Sequence, residues 1–391
     1  MDLLPFLRLM AKKKASDLFF SSGARPSIKI EGTTYPVGKV AVSAAEIEKM
    51  AFSSLSEAQR REFEQEMELN LAIAVPEYGR FRINVYRQKG DVGLVVRYIS
   101  NRIPSLDELQ LPAVLADLTL LKRGLVLIVG ATGSGKSTTM ASMIDNRNER
   151  MSGHILSIED PIEYLHVHKQ SVVDQREVGI DTLSYAKALK NALRQAPDMI
   201  VIGEIRDKET MQQAMAYAET GHLCLSTLHA NNANQALERI VNFFPDGVRE
   251  QLQVDLSLNL HAVISQRLVV GVDGKRLPAV EVLLRTPFIA SLIEKGDIDG
   301  IKKAMIQGGN LGMQTFDDAL IALVNNGKVS AEEAISHADS KTDLSVKLRL
   351  ASGGLGLSGN EFAFEGQRPP GTKFDEFGRE QLAAAPSPWR K

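Results

Sequence analysis

Apolar and polar residues alternate in short runs over the first hundred positions of the chain. Such alternation is typical of half-buried β-strands, because successive side chains of a strand point to opposite faces. The predicted hairpin and strands lie at 27–39, 81–86 and 93–99. Between them, Ser43 and Ser56 each stand at the start of an expected helix, the first in a capping-box pattern. We therefore predict a small α+β domain over residues 1–100.

The pattern changes from residue 113 onward, where continuous apolar runs are separated by longer mixed segments. Continuous apolar runs are typical of parallel strands that are covered on both faces. The runs lie at 125–129, 155–158, 199–203 and 223–227. They predict an α/β domain over residues 113–285 that ends in an antiparallel hairpin at 266–284. Residues 101–112, bounded by prolines, are expected to form a linker.

The end of the chain divides into two parts of different composition. Residues 286–350 keep a helical pattern and are predicted to form a helical C-terminal region. Residues 351–391 are rich in glycine, proline, serine and charge, and we predict a disordered tail there.

Composition limits the classes of function. The chain has 391 residues, 44% of them hydrophobic, and a formal net charge of −2. These values are typical of a globular protein and give no sign of a general nucleic-acid surface, so no nucleic-acid partner is expected. Cys224 is the single cysteine, which leaves it no disulfide partner within the chain and excludes a multi-cysteine zinc site.

The N-terminus favours a cytoplasmic protein. Residues 1–10 are mostly apolar, but the lysines at 12–14 follow the apolar part instead of preceding it. That order does not fit a secretory signal, and a short amphipathic helix is the better interpretation. No apolar run is long enough to span a bilayer.

Residues 130–137 read Gly-Ala-Thr-Gly-Ser-Gly-Lys-Ser and fit the phosphate-binding loop at every fixed position. The loop follows a predicted strand and precedes a predicted helix, which is the context this motif requires. Lys136 can reach the β and γ phosphates, and the Ser137 hydroxyl can bind Mg²⁺. We therefore predict ATP and Mg²⁺ as cofactors. The predicted nucleotide-binding residues are Gly130, Thr132, Gly133, Ser134, Gly135, Lys136, Ser137 and Thr138.

Carboxylates follow two of the apolar runs. Glu204 comes directly after the run at 199–203, where a strand beside a phosphate loop commonly delivers an acid. It is the candidate base that orients the attacking water and, with Ser137, a candidate metal-site residue. Residues 158–163 carry three acids, and such crowding is costly without a nearby cation. Glu163 is therefore predicted to support the metal, with an acidic surface loop as the alternative.

Two histidines flank the run at 223–227. The spacing of His222 and His229 is not that of metal ligands, but a neutral imidazole can report phosphate occupancy through a hydrogen bond. We predict that both are γ-phosphate sensors. Structural histidines are the alternative for each.

Several arginines fall on the predicted strands of the first domain, namely Arg80, Arg82, Arg87 and Arg97. A guanidinium is always charged and suits the γ-phosphate. Placed over a neighbouring subunit's nucleotide, these side chains would act as arginine fingers in trans. The residues alone equally allow surface arginines.

The order of these blocks resembles the type II/IV secretion ATPase superfamily. The blocks are residues 130–138, 158–164, 203–207 and 220–229, the positions of its Walker A, Asp box, Walker B and His box. Four further stretches resemble the twitching-motility retraction ATPases of the PilT/PilU family. They are residues 16–19, 79–84, 175–179 and 312–316.

The resemblance implies a homo-hexameric ring with a PAS-like N-terminal domain and a RecA-like ATPase domain. It implies that Arg82 and Arg97 act in trans on a neighbouring subunit. It also implies that ATP-driven domain motion is passed to an inner-membrane pilus platform protein, so the ring would lie peripherally at the inner-membrane base of the pilus.

Two stretches favour the PilU type over the PilT type. Residues 288–293 stand where PilT-type motors carry Ala-Ile-Arg-Asn-Leu-Ile, and the arginine and asparagine are absent here. Residues 337–340 and the helix that follows resemble the PilU ending. A PilU-type role implies action beside a sister PilT-type ATPase.

Other functions remain open from the sequence. A primary PilT-type retraction motor is one, and a RecA-like DNA translocase is another, although a basic, aromatic-lined channel is not evident. Assembly and secretion ATPases often carry a four-cysteine zinc insert that this chain cannot build. A non-catalytic ring adaptor is disfavoured by the intact Lys136, Ser137 and Glu204.

Overall fold

The computed structural model describes residues 2–30, 32–76, 78–99 and 102–351. The chain divides into a large compact unit, residues 1–341, and a second unit, residues 342–391. Apart from Ala351, the tail predicted at 351–391 lies outside the described residues, as do Glu31 of the predicted hairpin and Asn101 of the predicted linker. The boundaries of the sequence-based domains stay predictions.

The helices are α1 Leu4–Lys13, α2 Ala44–Ser53, α3 Glu57–Glu66, α4 Val114–Thr119, α5 Lys136–Arg150, α6 Tyr185–Ala192, α7 Lys208–Glu219, α8 Ala233–Asn242, α9 Arg249–Asn259, α10 Pro287–Lys295, α11 Ile298–Gln307, α12 Phe316–Asn325, α13 Ala331–His337 and α14 Lys341–Ala351. The strands are β1 Asp17–Phe20, β2 Ser27–Ile30, β3 Thr33–Pro36, β4 Glu68–Val75, β5 Gly79–Gln88, β6 Asp91–Ile99, β7 Gly124–Val129, β8 Gly153–Glu159, β9 Ser171–Glu177, β10 Met199–Ile202, β11 Leu223–Leu228, β12 Leu260–Val270 and β13 Arg276–Leu284.

The first sheet is antiparallel, with the strand order β3-β2-β1-β6-β5-β4. Its strands bury one set of alternating side chains, such as Leu18, Phe81 and Val96. The helices α2 and α3 begin after Ser43 and Ser56, and a complete capping box forms at each start. Each box satisfies two backbone N–H groups that the helix itself leaves unpaired.

The second sheet has the order β13-β12-β7-β11-β10-β8-β9 and is parallel except for β13. Every residue of β7, β10 and β11 is buried. Leu125 and Leu127 of β7 belong to an apolar cluster on one face, and Val126 and Ile128 belong to the cluster on the other. The continuous apolar runs therefore reflect a sheet that is covered on both sides, as predicted.

This parallel arrangement brings four segments to one edge of the sheet. The chain leaves β7, β8, β10 and β11 at their carboxyl ends, which lie side by side. Ligands of open α/β sheets bind at this edge. The phosphate loop, the acidic segment after β8, Glu204 and His229 all follow one of these strand ends.

Cys224 lies within β11 and is fully buried, as predicted. Burial raises the pKa of its thiol, so the side chain acts as a small apolar group. Across the described parts of the chain, no helix has the length and apolar character needed to cross a membrane.

Candidate nucleotide-binding site

The phosphate loop joins β7 to α5 at the centre of the second sheet. Because α5 begins at Lys136, the loop stands at a helix N-terminus, where the peptide dipoles favour an anion. Gly133 and Gly135 have φ values of 78° and 89°, which favour glycine. Turns of this kind direct several backbone N–H groups toward one bound anion.

Lys136 is held against the loop itself. Its Nζ atom donates hydrogen bonds to the main-chain oxygens of Gly130 and Ala131, both at 2.9 Å. Burial lowers the pKa of Lys136, while the charges of Glu204 and Glu163 act to raise it. The structure therefore brings Lys136 within electrostatic reach of both acids that the sequence predicted.

An open cavity of about 720 Å³ lies beside the loop. Thr132, Gly133 and Ser134 form one wall, and Arg267 and Lys302 supply positive charge from the other side. The Ser134 hydroxyl is buried and has no hydrogen-bond partner among the described residues. Buried polar atoms are usually paired, so an orphan hydroxyl in a glycine loop is consistent with a ligand oxygen as its partner. The size and charge of the cavity suit a nucleotide.

Glu204 is fixed between two basic side chains at the end of β10. One carboxylate oxygen accepts a hydrogen bond from Arg206 Nε at 2.8 Å, and the other lies 3.2 Å from His229 Nε2. The adjoining strand ends are tied together, because Thr227 Oγ1 donates to the Gly203 oxygen at 2.6 Å. Glu204 and His229 therefore meet just after the ends of adjacent strands, close to the lysine of the loop.

The residues at this edge fit a magnesium ion. Ser137 lies in the first turn of α5, and Glu204 and Glu163 add carboxylate oxygens, which are ligands that Mg²⁺ prefers. In the portion of the chain that is described, no group of three or more His, Cys, Asp or Glu side chains could hold a metal ion alone. The arrangement thus suits an ion bound together with nucleotide phosphates, as phosphate-loop proteins bind it.

Comparison with known proteins identifies the family. A profile described as "Type II/IV secretion system protein" matches residues 5–281, more than half of the chain. The chain belongs to this family.

Two curated relatives place it in the PilT/PilU branch. The type IV pilus ATPase PilU of Pseudomonas aeruginosa is 52% identical over 353 residues, which cover 90% of this chain and 92% of that protein. The retraction ATPase PilT of the same species is 40% identical over 334 residues, or 85% of this chain and 97% of that protein.

A solved structure agrees with this assignment. The crystal structure of the pilus retraction motor PilT with bound ADP matches with a TM-score of 0.83 and 38% identity, over 88% of this chain and 99% of that one. The mixed α/β fold is therefore that of PilT, and the chain is a P-loop ATPase of the type II/IV secretion family.

One predicted site residue of this ATPase lies away from the phosphate loop. His222 precedes β11, at the opposite end of the strand from His229, and its Nδ1 atom is 3.2 Å from Thr220 Oγ1. Six strand residues at about 3.3 Å each place it roughly 20 Å from the phosphate-loop edge. His222 therefore lies away from the phosphate loop of its own chain, and its role as a γ-phosphate sensor stays a prediction. Of the two histidines, His229 is the one that contacts Glu204, at 3.2 Å.

The arginines of the first sheet also lie away from their own subunit's loop. Arg80 and Arg82 approach the buried Glu177 at the end of β9, with nitrogen–oxygen distances of 3.6 and 3.9 Å. Four strand spacings of about 4.8 Å separate β9 from β7, roughly 19 Å. Arg97 lies opposite Arg82 on β6 and pairs with Asp17 at 2.9 Å. A role for Arg82 or Arg97 in this ATPase therefore requires a second subunit and stays a proposal.

Two residues at the loop had no predicted role. The Tyr164 hydroxyl is 2.9 Å from Thr138 Oγ1, and Gln266 Oε1 accepts a hydrogen bond from Thr139 Oγ1 at 2.7 Å. Tyr164 is the last residue of the family block at 158–164, and its place in that block was the one sequence feature that pointed to it. Gln266 lies 127 residues after Thr139 in an apolar strand, and no local pattern marked it.

Replacing Lys136 with alanine is expected to weaken binding of ATP about 10- to 100-fold, because a charged donor to the phosphates is lost. Isothermal titration calorimetry with ATP and Mg²⁺ measures this directly. Lys190→Ala, on the exposed face of α6, is the matched control and should bind like the wild-type protein. Equal affinity of Lys136→Ala and wild type would contradict the assignment of the loop.

Proposed function

We propose that this chain is a hexameric ATPase motor that assists type IV pilus retraction and twitching motility as a PilU-type accessory. The observation that carries the proposal is the 52% identity with PilU over 90% of the chain, against 40% with PilT. The lysine, serine and glutamate that a phosphate-loop ATPase uses are all present at one edge of the sheet. The absence of the arginine and asparagine of the PilT-type motif at 288–293 supports an accessory role.

Each residue of the site has a defined task in hydrolysis. The loop N–H groups and Lys136 bind the β and γ phosphates, and the Ser137 hydroxyl would help to hold a Mg²⁺ ion, which would neutralise phosphate charge. Glu204 orients the attacking water and accepts its proton. His229 and Arg206 keep the Glu204 carboxylate in place through contacts of 3.2 and 2.8 Å.

The first sheet acts on a neighbouring subunit. We assign it to a PAS-like domain and the second sheet to a RecA-like ATPase domain. In a ring, Arg82 and Arg97 of one subunit face the γ-phosphate of the next and stabilise the charge of the transition state. When the cleaved phosphate leaves the site, the arginines lose their charged partner. The PAS-like domain then moves relative to the adjoining ATPase domain.

This domain motion acts on a protein outside the ring. We propose that the ring lies in the cytoplasm, peripherally at the inner-membrane base of the pilus, and acts on the pilus platform protein there. A sister PilT-type ATPase is the second proposed partner. Two sets of ATP-driven domain motions would then add force when the pilus is under load.

Pilus retraction under load tests this function. Deleting this chain should leave unloaded retraction largely intact and lower the stall force measured with an optical trap. Cells that lack the sister motor but keep this chain should not retract their pili. The Lys136→Ala chain, expressed at the normal level, is the control that separates ATP turnover from mere presence in the complex.

Pilus retraction driven by this chain alone would indicate a different function. Normal retraction in cells without the sister motor would contradict the accessory role and favour a primary PilT-type motor. An unchanged stall force in the deletion strain would contradict any role in retraction.

A further inference from the structure

Gln266 lies beside the phosphate loop although it is far from it in sequence. The strand β12 runs parallel to β7, and Ser265 pairs with Val129 in the register of the two strands. Gln266 therefore stands next to Gly130, the first residue of the loop. The residue is almost fully buried, with 4% of its surface exposed.

Two glycines of the loop lie so close to Gln266 that a larger residue would not fit at either position. A Cβ atom on Gly130 would lie 2.6 Å from the main-chain oxygen of Gln266 and would also meet the Ser134 hydroxyl. A Cβ atom on Gly135 would lie 2.7 Å from Gln266 Nε2. Real Cβ atoms essentially never lie this close to another heavy atom, so both ends of the loop pack directly on Gln266.

The same side chain is bonded to the helix that follows the loop. Thr139, one turn into α5, donates a buried hydrogen bond of 2.7 Å to Gln266 Oε1. A buried hydrogen bond fixes both groups, because neither can find water as a substitute partner. Gln266 therefore contacts the beginning of the loop, its end and the first turn of α5.

The strand that carries Gln266 is itself anchored. The next residue, Arg267, pairs with Asp339 at 2.6 Å and donates to the His337 oxygen at 2.7 Å. Its guanidinium also stacks on the Phe316 ring, 3.9 Å from the centroid. Since these contacts hold the end of β12, Gln266 presents a rigid surface to the loop.

We propose that Gln266 is a positioning residue that holds the phosphate loop in its nucleotide-binding shape. Phosphate binding by backbone N–H groups depends on their being oriented before the ligand arrives. The loop glycines give no rigidity of their own, so the contacts from Gln266 supply it. This inference rests on the proposed ATPase site.

The test compares ATP binding and hydrolysis in Gln266→Leu and Thr139→Val proteins. Thr139→Val keeps the shape of the side chain and Gln266→Leu keeps a similar volume, and each variant loses the bond between the two residues. Gln266→Leu is expected to raise the Kd and the KM for ATP about five- to tenfold, the range for one lost hydrogen bond. The loop binds phosphates in the ground state and the transition state alike, so kcat should change by no more than about twofold. The double variant should be no weaker than the more damaged single variant.

Controls separate positioning from a general loss of stability. Gln314→Leu removes another part-buried amide contact, the 2.7 Å bond to the Val280 oxygen, away from the loop. It should lower the melting temperature without changing the Kd for ATP. Wild-type Kd in both Gln266→Leu and Thr139→Val would overturn the inference, and Thr139→Val alone decides if the other variant does not fold. A wild-type chain that binds no ATP would instead contradict the ATPase site itself.

Discussion

A Glu204→Ala protein is expected to bind ATP as the wild type does and to hydrolyse it about 10²–10⁴-fold more slowly. The carboxylate lies outside the loop that binds the phosphates, and its neighbours are His229 at 3.2 Å and Arg206 at 2.8 Å. Its loss should therefore remove the group that orients water without removing phosphate contacts. Steady-state phosphate release and calorimetric ATP binding measure the two effects separately.

The matched control for Glu204 is another carboxylate of the same region. Glu209, exposed in the first turn of α7, lies five residues further on. Glu209→Ala should keep wild-type turnover. Hydrolysis at the wild-type rate by Glu204→Ala would show that the base is assigned to the wrong residue.

Mixing Arg97→Ala and Glu204→Ala chains is expected to restore activity that neither variant has alone. If a site combines Glu204 of one subunit with Arg97 of its neighbour, random mixing leaves about a quarter of the head-to-tail interfaces intact. The mixture should then show up to that share of wild-type hydrolysis. Titrating one variant into the other and following phosphate release gives the dependence on composition.

A second mixture serves as the control for this experiment. Lys136 and Glu204 belong to the same subunit's site, because their charges influence each other within one chain. Mixed Lys136→Ala and Glu204→Ala chains should therefore stay inactive. An equally inactive Arg97→Ala mixture, with subunit exchange verified by native mass spectrometry, would count against a trans role.

The sequence predicted those parts of the fold that are determined by residues close together along the chain. The strand before the phosphate loop, the loop and its helix follow from a contiguous motif, and all three are present. Continuous apolar runs likewise marked β8, β10 and β11. Three strands were not predicted: the short β1, β4 and the mixed β9. The residues of β9 alternate in burial at the sheet edge, so the strand lacks a continuous apolar run.

In the candidate site, the sequence predicted the residues that directly follow the carboxyl ends of parallel strands. Glu204 and His229 follow adjacent parallel strands, which bring them together at one edge. His222 precedes the same strand and so lies at the opposite edge, because the direction of a strand determines where its flanking residues go. The contacts of Glu177 with Arg80 and of Gln266 with the loop depend on tertiary packing, which no local pattern records.

Cys224 makes the chain convenient for optical measurements. Maleimide dyes react with exposed thiolates, and this single thiol is fully buried with its pKa raised by burial. The natural chain should therefore remain unlabelled without any cysteine being removed. Cysteines introduced at Lys14 and Glu209, both exposed, would then carry the only dyes, one near each sheet. Energy transfer between them would follow the two sheets during ATP turnover in the otherwise unaltered protein.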